Sequence, residues 1–420
     1  MKLPILTDDT KAILLLCGRF GEPLTAEPLE PRDYNAVVRW LMGRRMRPSD
    51  LLSLESLPEL AAETGIDRDR LAALLKRGVK LGFAVEKWNQ SGIWVISRSD
   101  TDYPARYKEH LKDKAPPVLF GAGDRALLRG GGLAIVGSRN VDAMNEGFAR
   151  DVAVWCARGG LPVVSGGARG VDQVAMAGAL EAGGAVLGVL ADSLLRRSVS
   201  REARLALAEG RLLLVSPYHP EAGFNVGNAM GRNKLIYALA DYGLVVVSDY
   251  KKGGTWAGAE EELKRRPGRT LFVQLASAAP LGNRKLRDLG ALPFPSISED
   301  GSPGEVLRRA ASTGAEKEPL GELPLFMPPA SREPAPALVR EAVPAPSQPT
   351  PDPAAPVDTT SAIYLAVLPV ILRHLEQPAT VDDLSRLLDV PKTLLNAWLK
   401  RALTEKRVRR QNRPVRYVAV

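Results

Sequence analysis

The sequence predicts an α/β fold: a parallel-sheet core set between a helical leader and a small helical tail. Three observations predict it. Between about Leu133 and Ile297, short β-branched runs alternate with helical stretches, as a parallel sheet with crossover connections requires. Before Gly130, leucines recur at helical spacing, and after a proline-rich stretch the chain returns to three helical segments. The strand candidates are Leu133–Val136, Pro162–Val164, Ala185–Leu190, Leu212–Val215, Leu244–Val247 and Thr270–Leu275. Between them Phe148–Ala157, Val171–Ala182, Arg201–Ala208, Leu235–Ala240 and Ala257–Lys264 read as helices, which makes the core Rossmann-like.

In the leader, Leu51, Leu52, Leu54, Leu57 and Leu60 run into Thr64-Gly65-Ile66, and Leu71, Leu74 and Leu75 follow up to Gly78. Such a pair of short helices resembles modules that dock on DNA backbone or on proteins, although a purely structural bundle explains the leucines more simply. From Pro319 to Pro356 there are twelve prolines among small residues, too little apolar surface to offset the entropy of ordering, so this stretch reads as a linker. Beyond it, Tyr364–Leu375, Val381–Leu388 and Pro391–Leu403 read as helices, and a basic stretch from Lys406 to Arg416 ends in Tyr417-Val418. Three helices and a β-wing make a winged helix-turn-helix. The expected division is an N-terminal helical domain at 1–97, a Rossmann-like nucleic-acid-binding domain at 98–310, a linker at 311–357 and a winged helix at 358–420.

The formal charge of +9 favours polyanionic partners through counterion release. Cys17 and Cys156 stand far apart, and His110, His219 and His374 are scattered, so no metal or other cofactor is expected. The apolar run Ile13–Leu16 is too short for a signal core or a membrane span, and a cytoplasmic location without membrane partners is expected.

The chemistry concentrates where strands end. Gly137-Ser138-Arg139 closes the first strand with close backbone access, a hydroxyl and a forked cation. The second strand runs into Ser165-Gly166-Gly167-Ala168-Arg169-Gly170-Val171-Asp172, where backbone N–H groups and a helix start make an anion cradle. Gly231-Arg232-Asn233-Lys234 is expected at the start of a helix, and Gly253-Gly254-Thr255 opens another. Each alone could be a capped helix; four at strand ends argue for one extended polyanion track. No GxxxxGK[ST] is present, and the glycines Gly130 to Gly132 precede their strand, so neither ATP hydrolysis nor nicotinamide binding is supported.

This order of motifs resembles the DNA-processing protein A family (DprA, also called Smf). The resemblance is carried by Asp102-Tyr103-Pro104, Ala115-Pro116-Pro117-Val118-Leu119-Phe120, Ala134 to Arg139, Ser165 to Asp172, Arg232-Asn233-Lys234-Leu235-Ile236 and Gly253-Gly254-Thr255. It implies a non-catalytic protein that binds and protects single-stranded DNA and promotes loading of a RecA-type recombinase in DNA uptake, natural transformation or recombination. Family members often act as homodimers. By motif, Gly137, Ser138, Arg139, Arg232 and Lys234 would meet phosphate, with Asn233 on phosphate or sugar. Ser165, Gly166, Gly167, Ala168, Gly170, Gly253, Gly254 and Thr255 would complete the track, and Asp172 would organise the glycine loop. The chain departs from the family at Met176 and Pro217 and lacks an aromatic-proline pair before Arg232, which marks a somewhat diverged member and leaves room for a defence-pathway paralogue.

The alternative is an enzyme of the related nucleoside-monophosphate glycosidase type, with Glu260, Glu261 and Glu262 after the Gly253 loop; a charged helix face explains these glutamates more simply. In the tail, Lys392, Lys400, Arg401, Arg407, Arg409, Arg410 and Arg413 form the basic footprint of a backbone binder, which could take duplex DNA, whereas Trp398 fits a core position.

Overall fold

A computed structural model of the chain describes residues 6–20, 24, 26–265, 268–275, 279–297 and 301–315, and, in the tail, 368–369, 371–375, 377–388, 392–405, 407–411 and 416–419. The chain forms two compact units, Met1–Leu323 and Pro324–Val420. The stretch expected as a linker lies almost wholly outside the described residues, although the helix Pro303–Ala315 runs past its expected start at residue 311.

The first unit is built on a nine-stranded sheet. Its strands are β1 (Trp94–Ser97), β2 (Val118–Gly123), β3 (Leu133–Val136), β4 (Val163–Ser165), β5 (Val186–Val189), β6 (Leu212–Ser216), β7 (Tyr242–Val245), β8 (Thr270–Val273) and β9 (Leu292–Pro293). They lie in the order β1-β2-β6-β5-β4-β3-β7-β8-β9. From β6 to β9 every pair is parallel, and β1 and β2 add an antiparallel edge beside β6. The chain leaves β3 on one side, builds outward to β6, then returns to place β7 on the other side of β3. That reversal opens a crevice at the carboxyl ends of β3 and β7, the place where open α/β sheets take ligands.

Both faces of the sheet are covered, which explains the nearly continuous apolar runs. Leu133 and Ile135 face one core together with Val163, Val186, Leu212, Leu214 and Phe272. Ala134 and Val136 face the other with Val164, Leu187, Leu213, Val215 and Val273. The helices α1 (Asp8–Cys17), α2 (Pro31–Gly43), α3 (Leu57–Thr64), α4 (Arg68–Leu75) and α5 (Gly78–Gln90) contribute Ile13, Leu14, Val37, Leu60, Leu71 and Trp88 to the first core, so leader and sheet are packed into one hydrophobic mass. Helices α6 (Ala105–Leu111), α7 (Ala143–Arg158), α8 (Val171–Glu181), α9 (Leu194–Ser198), α10 (Arg201–Ala208), α11 (Val226–Leu239), α12 (Gly253–Lys264) and α13 (Leu281–Asp288) complete the layers.

Two differences from the expected elements bear on the site. Helix α11 begins at Val226, capped by the Asn225 side chain on the Asn228 N–H at 3.2 Å, so Gly231 to Lys234 lie inside the helix and not at its start. Gly227 and Gly231 hide this early start from a propensity reading. Strand β7 also sits two residues earlier than expected, which leaves Val246 to Lys252 as the loop that lines the crevice.

Helix α6 is fastened to α12 by a buried cluster. The Glu262 carboxylate receives the Arg269 N–H at 2.7 Å and Arg265 Nε at 3.2 Å, and meets His110 Nε2 at 2.9 Å. Burial pushes Glu262 up, but His110, the Arg269 N–H and Arg265 outweigh it and hold the carboxyl below the usual 4.5. A depressed folded value contributes stability that is present above the unfolded pKa and lost as pH falls through the folded one. Urea midpoints measured from pH 7 down to 3 should therefore fall less steeply for Glu262→Gln than for the parent below about pH 4.5, with the variant already weaker at pH 7. Parallel profiles would remove this cluster from the acid limb.

In the second unit, residues 368–369 and 371–374 are helical, the helices Val381–Leu388 and Lys392–Thr404 follow, and β10 (Val408–Gln411) pairs antiparallel with β11 (Arg416–Ala419). Leu368, Ile371, Leu375, Leu384, Leu395, Leu399 and Val408 form its core, and Trp398 is buried among them.

Candidate nucleic-acid interface

The crevice is assembled from loops that are locked to one another before any ligand arrives. The loop after β3 is held across the switch point by the Ser138 N–H on Val247 O at 3.0 Å, and by Thr255 Oγ1 donating to Gly137 O at 2.9 Å. Asn233 Nδ2 donates to Gly254 O at 2.9 Å and so ties α11 to the first turn of α12. Ser165 Oγ donates to Ile135 O at 2.7 Å, fastening β4 beside β3. Thr255, Asn233 and Ser165 thus spend polar groups on shape.

Gly170 brings two of these loops into close backbone contact. It has φ +86, and a Cβ there would stand 2.5 Å from Ser138 O and 2.8 Å from Arg139 O, so a side chain would force the loops after β3 and β4 apart. Below the glycine loop lies Asp172, whose carboxylate accepts the Gly166 N–H at 3.1 Å and is approached by Arg232 Nη1 at 3.7 Å. Both side chains of this pair are buried, and Arg232 also donates to Val189 O at 3.1 Å. Burial raises the Asp172 carboxyl against the pull of Arg232 and the loop N–H groups, and it lowers Arg232 against the pull of Asp172. A Cβ on Gly166 would meet Arg232 Nη1 at 1.1 Å, so a side chain there would displace the buried guanidinium.

Consecutive helical residues point about 100° apart, so Arg232, Asn233 and Lys234 cannot all face one crevice. Arg232 turns inward beneath the glycine loop and Asn233 turns to Gly254. Lys234 is half-buried, its ammonium lowered by burial, with Glu261, Lys114 and Arg265 as charged neighbours, and it is absent from the crevice wall.

Two adjoining hollows result. One of about 570 Å³ is lined by Gly137, Ser138, Arg139, Lys251, Lys252, Gly253 and Gly254 among others. The second, of about 390 Å³, is lined by Gly166, Gly167, Ala168, Arg169 and Arg197, and shares Arg139, Phe224 and Arg232 with the first. Among the described residues no carboxylate pairs with Arg139, Arg169, Arg197, Lys251 or Lys252. The last four were not singled out as contacts from the sequence. Lys251-Lys252 was legible as a basic pair at a strand end, and Arg169 stood inside a quoted motif, whereas Arg197 comes from α9, which has no motif around it.

The glutamates of α12 lie elsewhere. Glu260 is paired with Lys264 and accepts from Trp256 Nε1, Glu261 is paired with Arg265, and Glu262 is sequestered with His110, so it is no part of a solvated face. None of the three lines either hollow. Among the described residues there is no group of three or more His, Cys, Asp and Glu that could hold a metal ion, and no helix is long and apolar enough to cross a membrane. In the second unit, Lys400, Arg407, Arg409 and Arg410 are exposed, and Arg401 is paired with Glu405 at 2.9 Å. Lys392 opens the helix Lys392–Thr404, and Arg413 lies outside the described residues.

Fold and crevice together define an α/β protein of the doubly wound class, with a cleft lined by basic residues at the topological switch point. Residues 94–295 match the family model described as DNA recombination-mediator protein A. The chain is 31% identical over 217 residues to DNA processing protein DprA of Bacillus subtilis, covering 50% of this chain and 71% of that one. It is 34% identical over 170 residues to Protein Smf of Escherichia coli, covering 40% of this chain and 44% of that one. The structure of DNA processing protein A from Streptococcus pneumoniae superposes with a TM-score of 0.55 at 21% identity, over 73% of this chain and 98% of that one, a likeness of fold. The chain belongs to the DprA/Smf family of DNA-processing proteins.

Proposed function

We propose that the chain binds single-stranded DNA along the two adjoining hollows and acts as a non-catalytic mediator that hands the strand to a RecA-type recombinase. The observation that supports this reading is the convergence of Arg139, Arg169, Arg197, Lys251 and Lys252, none of them in a salt bridge among the described residues, on glycine loops that let a backbone come close. A mononucleotide would occupy one hollow and need fewer cations; a strand carries a phosphate at every step. Its phosphates replace solvent at these side chains, and the released counterions supply much of the binding free energy. The loops are already locked by Thr255, Asn233 and Asp172, so little ordering cost remains. Membership in a DNA-processing family supports the same reading, and the proposal includes a cytoplasmic location and a second copy of the chain as a further partner. The tail is proposed to act as a winged helix that adds a DNA contact through Lys400, Arg407, Arg409 and Arg410, joined to the body at raised effective concentration.

The test is an anisotropy titration of the full chain with single-stranded and duplex oligonucleotides of equal length, beside an assay for base release from nucleoside monophosphates. Expected are preference for the single strand, a log–log salt slope of roughly −3 to −4 for five phosphate contacts, and no base release. A flat salt response, or base release without DNA binding, would overturn the proposal.

A further inference from the structure

The cations account for phosphate, yet one wall of the crevice is apolar and exposed. Phe224, Val226 and Met230 are 56%, 64% and 50% exposed, and all three line the same hollow as Ser138 and Lys252. Large apolar side chains left open on the rim of a cationic cleft have no packing reason to be there. Phe224 stands just before α11, in the segment Gly223-Phe224-Asn225, and Val226 and Met230 follow at i+2 and i+6. The Arg139 guanidinium lies over the Phe224 ring, 4.9 Å from its centroid. One face of the ring is thus taken by the cation, while more than half of the side chain still meets solvent.

Resting on the single-strand reading above, we propose that Phe224 is a nucleobase-stacking shelf: one base of any identity packs on the open side of its ring, flanked by Val226 and Met230, while Arg139 holds the adjoining phosphate. Every base has a π-face, so an aromatic shelf holds bases without selecting among them, and a thioether beside it adapts to purine or pyrimidine. The cation on the far side of the ring couples the two contacts, because a strand that seats its base on Phe224 brings its phosphate within reach of the same Arg139. Duplex DNA keeps its bases stacked inside and cannot use the shelf, so Phe224 also supplies strand selectivity that cations alone do not.

The experiment compares two oligonucleotides of equal length and charge, oligo-dT and an abasic deoxyribose-phosphate strand, on the full-length parent, Phe224→Ala and Phe224→Trp. The parent should bind oligo-dT roughly 5- to 100-fold more tightly than the abasic strand, the range expected of one stacked base. Phe224→Ala should lose most of that gap by weakening oligo-dT while leaving the abasic affinity and the salt slope nearly unchanged, and Phe224→Trp should keep the gap. If the parent binds both strands equally, or Phe224→Ala weakens both equally, the shelf is wrong and the phosphate track survives. If neither strand binds the parent, both the shelf and the single-strand reading fall.

Discussion

Asp172→Ala is expected to destabilise the body by about 3 to 5 kcal/mol, the cost usually seen when one partner of a buried ion pair is removed. The carboxylate balances Arg232 at 3.7 Å and receives the Gly166 N–H at 3.1 Å, with both side chains sealed from solvent. Its loss takes the main countercharge from a buried guanidinium, leaving only the weaker pull of Asp192, and takes the anchor from the glycine loop. The double change Asp172→Ala with Arg232→Met should recover part of the stability, because the unbalanced charge leaves with its partner. Urea unfolding of the parent, both single variants and the double variant measures the coupling. Additive losses would mean that the two residues stabilise the body independently, and a loss below about 0.5 kcal/mol for Asp172→Ala would reduce the pair to ordinary surface chemistry.

The opposite signature is expected at the rim. Arg139, Lys251 and Lys252 bind no carboxylate among the described residues, so changing all three to alanine should leave the melting temperature within a degree or two, as is usual for exposed side chains. Single-strand affinity should fall about 100-fold near 100 mM salt, and the log–log salt slope should flatten by about 2. Affinity within twofold of the parent would place the phosphate path away from β3 and β7. A large fall in melting temperature would make these residues structural.

Much of the fold was legible because hydrophobic runs and glycine breaks follow directly from a sheet buried on both faces. Strands β3 to β6 fall within a residue or so of their expected places for that reason. Strands β1 and β2 escaped because an antiparallel edge next to a helical leader has no crossover helices to frame it. At the site, Arg139 and the glycine loop were readable as motifs, and the structure brings them together. What a motif cannot reveal is direction. Arg232, Asn233 and Lys234 read as one cationic cluster, yet helix geometry sends the first under the loop, the second to Gly254 and the third toward Glu261 and Lys114. Phe224 was invisible for a related reason: an aromatic before a helix looks like core until its exposure is known.

The order of the strands also sets when the crevice comes into being. Leu133 on β3 pairs with Tyr242 on β7, although β4, β5 and β6 intervene along the chain. During synthesis the glycine loop and Arg139 emerge early, but their far wall, Lys251 to Thr255, is made only after the chain has turned back past its own starting strand. Contacts this distant in sequence are slow to close. A growing chain therefore carries its basic residues for a long interval as scattered charges, and the crevice is completed only when β7 docks beside β3.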